Sequence, residues 1–481
     1  MPQDLREWLD KALEIGELIV IDGPQTSDFG PVSQITSRNE GPAVLFENIV
    51  GYPPGFRMAT NLVSNIRTFN LALGLPLDYS IKETVEVLAK RVTEWAQRSV
   101  GFPPVTVGSG PILENVVEAD KIDLGMFPAP VWHDFDGGRY IGTADQFITR
   151  DITTGLLNVG TYRSQVLDRR TVGLYIAPGH HGRLHLEKYF EKGEPCPAVF
   201  VYGNDPLTFL VASQEIPQDV AELSFIGAVR GEPVPVVMGK ATGLPIPASA
   251  EVAIEGFVYP GEKRLEGPFG EWPGYYAGGA VDRPCLKAEV LYYRNDPILT
   301  GCPPAKAAWA DQAFSRCVLR SALLYSELLS ANIPGVKGVW YPQVGGSRHL
   351  AVVAIEQRYA GHATMAGVVA TQTRAGAMQG RYTVVVDDDI DIYDLEDVLW
   401  AVCTRSYPVE MDILKKTWSS DTDPTIRKPA TSLTTSRAII YAVKPYEWKD
   451  EFPKVCMATA EKRTQVYDRW KHLFGERWRT I

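Results

Sequence analysis

Cysteine is scarce in this chain. The six among 481 residues (196, 285, 302, 317, 403 and 456) are scattered, and none belongs to a CxxC pair. That spacing argues against a disulfide framework and against a zinc site, and makes a reducing cytoplasm the expected setting. Basic charge is also in deficit: Lys+Arg is 48 against Asp+Glu 58, a formal net charge of -10. An acidic chain is a poor nonspecific ligand for nucleic acid or an anionic membrane, so neither is expected as a partner. No apolar run reaches the ~20 residues of a membrane helix, and the opening Met1-Pro2-Gln3-Asp4-Leu5-Arg6-Glu7 carries no signal-peptide pattern. Internal repeats and low-complexity segments are missing too. What remains is 45% hydrophobic and 22% charged. A chain of this length and composition buries a large core in two or three domains.

The densest chemistry lies in Glu266-Gly-Pro-Phe-Gly-Glu271, which runs on through Trp272-Pro273-Gly274-Tyr275-Tyr276. Gly opens positive φ and close backbone approach, and Pro fixes φ, so the segment must turn and present two carboxylates. Flanking aromatic residues would desolvate at least one of them and raise its pKa, as a general acid requires. The same residues also fit a polar surface turn with solvated glutamates.

The N-terminal part reads as small and α/β. Asp4–Ile15 places Leu5, Trp8, Leu9, Ala12 and Leu13 on one helical face, and Gly16 ends it. Leu18–Ile21 and Ala43–Phe46 read as strands; Asn65–Leu73 and Ile81–Arg98 read as helices. Residues 99–130, with Pro103-Pro104 and Pro128-Ala129-Pro130, read as a linker or irregular wrap. Short β-prone runs follow at Tyr140–Arg150, Asn158–Leu167, Val172–Ala177, Ala198–Tyr202, Leu207–Ala212, Val234–Met238, Glu251–Val258 and Ala288–Tyr293. Their frequency suggests a barrel or sandwich, with helices near Leu184–Lys192 and Asp219–Val229.

Past Thr300 the pattern becomes alternating. Helices are expected at Ala308–Ala331, Met365–Gln372 and Asp394–Thr404, and strands at His349–Ile355 and Thr383–Val386. The acidic run Asp387-Asp388-Asp389-Ile390-Asp391 invites a metal-hydrolase reading, but a strand-to-helix loop with helix-capping acids explains it better. Trp418–Arg427 reads as an extended loop. Arg437–Val443 is a candidate wall of a substrate pocket. Lys462–Arg479 reads as an amphipathic helix with Val466, Trp470, Leu473 and Trp478, suited to docking on a neighbouring subunit.

A second cluster lies in the β-rich region. Asn158-Val159-Gly160-Thr161-Tyr162-Arg163 ends on an arginine that could bind a carboxylate or phosphate in bidentate fashion. Pro178-Gly179-His180-His181-Gly182 and Glu222 follow. Asn, His and Glu donors together suit a hard or borderline divalent cation such as Mn²⁺ or Mg²⁺, though spacing alone does not select them. The histidines equally fit an exposed loop.

Three motifs in order carry a resemblance: Asn158–Arg163, Glu266–Glu271, and Val386–Asp391 leading to Leu399-Trp400-Ala401. On these the chain resembles the UbiD family of prenylated-FMN-dependent decarboxylases, in its branch acting on aromatic and heteroaromatic acids. The resemblance runs through nearly the whole chain. It implies a mixed α/β fold with a small N-terminal domain and linker (1–125), a central split β-barrel flavin-binding domain (126–305), a C-terminal oligomerisation domain (306–450) and a terminal helix (451–481).

The resemblance also implies residue roles. Asn158, His180 and Glu222 match the ligands of a divalent cation, usually Mn²⁺, that anchors the cofactor phosphate. His180 fits better than His181 because it stands two residues after Pro178 and five before His185-Leu186. Thr161, Tyr162 and Arg163 match the stretch that wraps the flavin, with Gly179 beside them. Ala212 and Ser213 match a segment that helps hold K⁺. Arg163, Glu266 and Glu271 match a Glu-Arg-Glu catalytic network, with Glu271 as proton donor. Gly179, where some relatives carry a larger polar side chain, would open the substrate pocket, and Trp272 would instead narrow it.

Decarboxylation at an sp² carbon leaves an anion with no orbital to delocalise into, so a cofactor must supply the electron sink. The protein then orients the carboxylate, excludes water and returns one proton, which suits two glutamates of separated acidity. The expectation is therefore a cytoplasmic carboxy-lyase releasing CO₂ from an aromatic or heteroaromatic acid, reversible in principle. It would use prenylated FMN, Mn²⁺ and K⁺, depend on a flavin prenyltransferase for its cofactor, and form a homodimer or homohexamer. The alternative is a non-catalytic flavin-binding or assembly subunit of a multi-subunit carboxylase, which would need no proton donor.

Overall fold

The computed structural model describes residues 1–214, 220–427 and 432–474. The fold is mixed α/β, built on four sheets. The N-terminal helix is Leu5–Glu14, and the Asp4 side chain caps it by accepting from the Glu7 N–H at 2.8 Å. Leu5, Trp8, Leu9 and Ala12 are buried as their spacing requires, whereas Leu13 falls off that stripe and is 57% exposed. Strands Leu18–Asp22, Ala43–Glu47 and Arg57–Thr60 form a four-stranded sheet completed by Ile298–Gly301, from far along the chain. Ile81–Arg98 is a helix opened by a capping box, Ser80 with Glu83.

The largest sheet has nine strands. In spatial order they are Tyr140–Gly142, Ser164–Asp168, Thr171–Leu174, Val281–Tyr293, Val252–Glu266, Cys196–Tyr202, Gln146–Arg150 and Leu157–Gly160. Asn115–Glu118, within the stretch read as an irregular wrap, pairs with Val281–Tyr293 as the ninth. Two expected strands are each divided: Tyr140–Arg150 breaks at residues 143–145, and Asn158–Leu167 at residues 161–163. The ribbon Val252–Glu266 against Val281–Tyr293 is much longer than its apolar runs suggested, because residues 260–265, mostly polar, run through solvent before the strand ends at the buried Glu266.

One expected strand is a helix. Pro206–Ala212 winds as one, with Asp205 accepting from the Thr208 N–H at 3.2 Å and Pro206 at the first position. All seven residues are buried, so no polar face betrayed the helical period, and the Asp-Pro start was the better signal. The next helix is Glu222–Arg230; Asp219, where it was expected to begin, lies outside the described residues.

The C-terminal sheet runs Val336–Trp340, Leu350–Ile355, Tyr382–Asp387, Thr434–Ala442 and Asp412–Trp418. The Asp311–Ser330 helix packs on it, with Phe314, Cys317, Val318, Leu324 and Leu328 buried. Arg437–Val443 mostly falls in an interior strand, with Ile439 and Ala442 in the core. The acidic run is a loop saturated by cations. Arg405 Nη1 donates to Asp387 at 3.2 Å and to Asp389 at 2.7 Å, and Lys444 Nζ donates to Asp389 at 2.7 Å. Among the described residues no group of three or more His, Cys, Asp and Glu is placed there to hold an ion. The last described helix, Ala460–Phe474, leaves Val466, Trp470 and Leu473 exposed; Trp478 and Arg479 lie outside the described residues. All six cysteines are free thiols. No helix among the described residues is long and apolar enough to cross a membrane.

Candidate active site

Sheet register builds the site. Ser164 pairs with Leu174, which sets Arg163 opposite Tyr175. The partner of Thr171–Leu174 is Val281–Tyr293, which pairs in turn with Val252–Glu266 and ends at Glu266 opposite Val281. Gly173 has no side chain, and a Cβ there would sit 3.3 Å from Glu266 Cγ. The chain then turns. Gly267 takes φ +89, which favours glycine, and donates its N–H to Gln165 Oε1 at 3.0 Å. Gly137 donates to the Pro268 carbonyl at 2.8 Å, and a Cβ at Gly137 would collide with the Gly267 carbonyl oxygen. A tight turn follows, with Glu271 N–H donating to Tyr275 O at 3.0 Å.

This turn brings both glutamates to Arg163. Arg163 Nε donates to Glu266 Oε1 at 2.8 Å and Nη2 to Oε2 at 3.0 Å, while Nη1 donates to Glu271 Oε1 at 2.7 Å. The Tyr140 hydroxyl adds a third donor to Glu266, at 3.0 Å from Oε1. Side-chain exposures are 1% for Glu266, 14% for Arg163 and 16% for Glu271. These are charge-assisted bonds in a dry setting, where each is stronger than in water. Arg163 also lies 4.7 Å from the Tyr175 ring centroid and 5.5 Å from that of Phe269.

The two glutamates are treated differently. Glu266 holds three donors from two side chains. Glu271 holds one, on Oε1. Burial raises the Glu271 carboxyl above its ordinary value, Arg163 opposes the rise, and the negative charges of Asp421 and Glu266 add to it. Burial works against the charge on Arg163, but Glu271 and Glu266 hold its pKa up. Glu271 also borders a cavity of about 560 Å³, walled by His133, Tyr276, Lys306 and Trp309 among others.

A second group lies around the Tyr162 ring. Asn158 and Glu222 both act on the Tyr162 hydroxyl, whose acidity burial suppresses. Val159 N–H donates to Glu222 Oε2 at 2.9 Å. Burial pushes Glu222 up to about 7. Thr161 Oγ1 is buried with no hydrogen-bond partner among the described residues. His180 stands at the position before the His181–Glu191 helix, without a capping side-chain bond, and meets Tyr162 edge-on, with ring centroids 6.0 Å apart. Thr161 N–H donates to the Ala212 carbonyl at 3.2 Å, and Ser213 Oγ donates to Leu210 O at 3.0 Å.

This donor set fits a divalent cation. The buried Glu222 carboxylate, the accessible His180 imidazole and the Asn158 amide oxygen, grouped around Tyr162, are hard and borderline donors. Among the described residues no group of three or more His, Cys, Asp and Glu is placed to hold an ion. His185, which is buried, is accounted for otherwise. It bonds Thr149 at 2.9 Å, and burial pushes it down to about 4. Gly179 has φ +88 with nothing within 4 Å of a Cβ, so its backbone conformation alone accounts for glycine there. Trp272 is turned onto the C-terminal sheet, its Nε1 donating to Thr422 Oγ1 at 3.0 Å and its ring 4.8 Å from that of His349.

Sequence reasoning missed Tyr140, Gln165, Tyr175 and Asp421. The first three are single polar residues inside ordinary strands or loops. Asp421 belongs to a loop remote in sequence, and no local pattern marks it.

Comparison with known proteins places this arrangement in context. Family models of 3-octaprenyl-4-hydroxybenzoate carboxy-lyase match residues 9–88 (N-terminal domain), 104–307 (Rift-related domain) and 314–442 (C-terminal domain). A phenolic acid decarboxylase of Bacillus subtilis (strain 168) is 31% identical over 418 residues, covering 84% of this chain and 85% of the relative. The UbiD-class enzyme HmfF of Pelotomaculum thermopropionicum, solved with FMN, superposes with a TM-score of 0.85 at 27% identity, covering 95% of this chain and 98% of that one. An evolved dimeric form of HmfF, solved with prFMN, gives 0.80 at 27% identity, covering 96% and 98%. The vanillic acid decarboxylase of Sedimentibacter hydroxybenzoicus in an open form gives 0.83 at 29% identity, covering 98% and 99%.

Proposed function

The chain belongs to the UbiD family of carboxy-lyases, and from that premise we propose that it decarboxylates an aromatic or heteroaromatic acid, non-oxidatively and reversibly, with Glu271 as proton donor. The observation that carries this reading is the shared Arg163, which binds Glu266 with two hydrogen bonds and Glu271 with one. Glu266, held by Arg163 and Tyr140, has the surroundings of a fixed carboxylate. Glu271, raised by burial and singly bonded, has those of an acid beside a cavity.

Prenylated FMN, when bound, supplies the electron sink that the departing carboxylate requires. Asn158, His180 and Glu222 would hold a divalent cation, Mn²⁺ by the family resemblance, at its phosphate. Thr161, Tyr162 and Gly179 would border the group, and Ala212 and Ser213 would help seat K⁺. The orphaned Thr161 Oγ1 supports a bound group here, since buried polar atoms ordinarily have partners. Arg163 orients the substrate's carboxylate end through the glutamates it fixes. Phe269 and Tyr140, ring centroids 4.1 Å apart, keep water from Glu266. Glu271 gives its proton to the carbon that has lost CO₂ and recovers one from solvent through the cavity. A cytoplasmic homo-oligomer supplied by a flavin prenyltransferase, divided near residues 125, 305 and 450, completes the reading.

The test is CO₂ release by protein co-produced with a flavin prenyltransferase, under anaerobic conditions with Mn²⁺ and K⁺. The panel spans benzoic, hydroxybenzoic, furoic, pyrrole-, indole- and cinnamic-type acids. Turnover of one ring class that disappears without the prenyltransferase is expected. Release of CO₂ at the same rate by protein free of flavin would overturn the reading.

A further inference from the structure

One loop of the C-terminal sheet grips the site from outside. It follows strand Asp412–Trp418 and is braced from within by Asp423, whose carboxylate accepts from Ser419 Oγ at 2.7 Å, Thr425 N–H at 2.9 Å and Arg381 Nη2 at 2.6 Å. Its tip makes two contacts across to the large sheet. Thr422 Oγ1 accepts from Trp272, the residue after Glu271, at 3.0 Å. Asp421 Oδ2 accepts from the Tyr175 hydroxyl at 2.9 Å.

Tyr175 is held by cations as well. Its ring centroid lies 4.7 Å from the Arg163 guanidinium and 4.3 Å from that of Arg283. A ring fixed at its hydroxyl by one element and pressed on by two guanidinium groups cannot slide without moving Arg163. Arg163 in turn sets the position of both glutamates.

We propose that Asp421 and Tyr175 form a positioning relay through which the C-terminal sheet orients Arg163 and keeps Glu271 as the acid. This rests on the decarboxylase reading given above. Neither residue touches the reacting atoms; both act through Arg163 and Glu271. The relay has a mechanical part, the Tyr175 ring against Arg163, and an electrostatic part, the Asp421 charge on Glu271. The charged and titratable groups facing Glu271 are Arg163, Glu266, Asp421, Tyr175 and Arg316, with His133, Asp134, Tyr275, Tyr276 and Lys306 on the cavity side. Of the two carboxylates that raise Glu271, Asp421 acts more strongly than Glu266, which shares its charge with Arg163 through a bidentate bond.

Two substitutions separate the parts. Asp421→Asn keeps an acceptor for the Tyr175 hydroxyl and removes the charge. Tyr175→Phe keeps the ring between the two arginines and removes the hydroxyl. The measurement is the pH dependence of kcat/KM, together with an infrared titration of the Glu271 carboxylic-acid band in protein at rest, assigned by its loss in Glu271→Gln. In Asp421→Asn both the basic limb and the infrared midpoint should move down by about half to one pH unit, the effect of removing one nearby charge from a partly screened site. Asp421→Glu should restore them. Tyr175→Phe should lower kcat several-fold with a smaller shift of the limb.

An unmoved infrared midpoint in Asp421→Asn overturns the relay, whatever the rates. If the parent protein releases no CO₂ from any acid in the panel, the decarboxylase reading fails by itself, and the infrared titration still decides whether Asp421 governs Glu271.

Discussion

The Arg163 guanidinium and the Glu266 carboxylate meet fork to fork, Nε to Oε1 at 2.8 Å and Nη2 to Oε2 at 3.0 Å, in a setting where Glu266 is 1% exposed. This geometry makes arginine irreplaceable by lysine. A lysine offers a point charge and cannot satisfy both oxygens of Glu266 while reaching Glu271. Arg163→Lys should lower kcat by about a hundredfold, the scale expected when an acid–base group loses its position. Arg163→Ala should go further and destabilise the fold by about 3 kcal/mol, because it strands a buried carboxylate. Steady-state kinetics and denaturant unfolding check the pair.

Gly137 and Gly267 form the close crossing that shapes the Glu266–Glu271 turn. Gly137→Ala should reduce both stability and turnover, since the added methyl meets the Gly267 carbonyl oxygen. A stability loss of about 1–3 kcal/mol is expected, as for other overpacked positions. Urea unfolding measures it, with Gly108→Ala, where an added methyl meets nothing within 4 Å, as the comparison.

Glu222 bears on cofactor retention. Glu222→Ala should yield protein that purifies with little flavin, while the fold survives. The flavin absorbance of protein co-produced with the prenyltransferase reads this directly. Full flavin content in the variant would remove Glu222 from the proposed cation site.

Asp311 gives the pH dependence of stability. It is buried with Oδ2 accepting from the Asn61 N–H at 2.7 Å, and burial pushes its carboxyl up from 3.8 to about 7. A raised carboxyl keeps its proton in the fold and loses it in the unfolded chain. The stabilisation relative to neutral pH is therefore full below about 4 and is lost as pH rises to about 7. Its size is about 4 kcal/mol at most. Asp311→Asn should flatten this part of the profile, which unfolding curves between those pH values would show.

Much of this was legible in the sequence, for a physical reason. Gly267, Pro268 and Gly270 between two glutamates leave few backbone paths, so Glu266–Glu271 announces a turn that presents carboxylates. The capped helices Leu5–Glu14 and Ile81–Arg98 were legible through Asp4, Ser80 and their apolar stripes. Pro206–Ala212 was misread because a wholly buried helix has no stripe. Tyr175 and Asp421 were invisible because 246 positions separate them and only the packing of two sheets makes them neighbours. The acidic run Asp387–Asp391 lies between a strand and a helix as expected, but the helix cap is Asp394, outside the run, while Asp387 and Asp389 hold Arg405 and Lys444, partners no local pattern marks.

The measurement that bears most directly on the central claim compares the parent protein with Glu271→Gln, both co-produced with the prenyltransferase. Glutamine keeps an oxygen for Arg163 Nη1 and has no acidic proton to give. The account predicts equal flavin content and spectrum in the two proteins, with CO₂ release in the variant lower by about a hundredfold or more. Equal CO₂ release from equal flavin would contradict it, and would take Glu271 out of the mechanism.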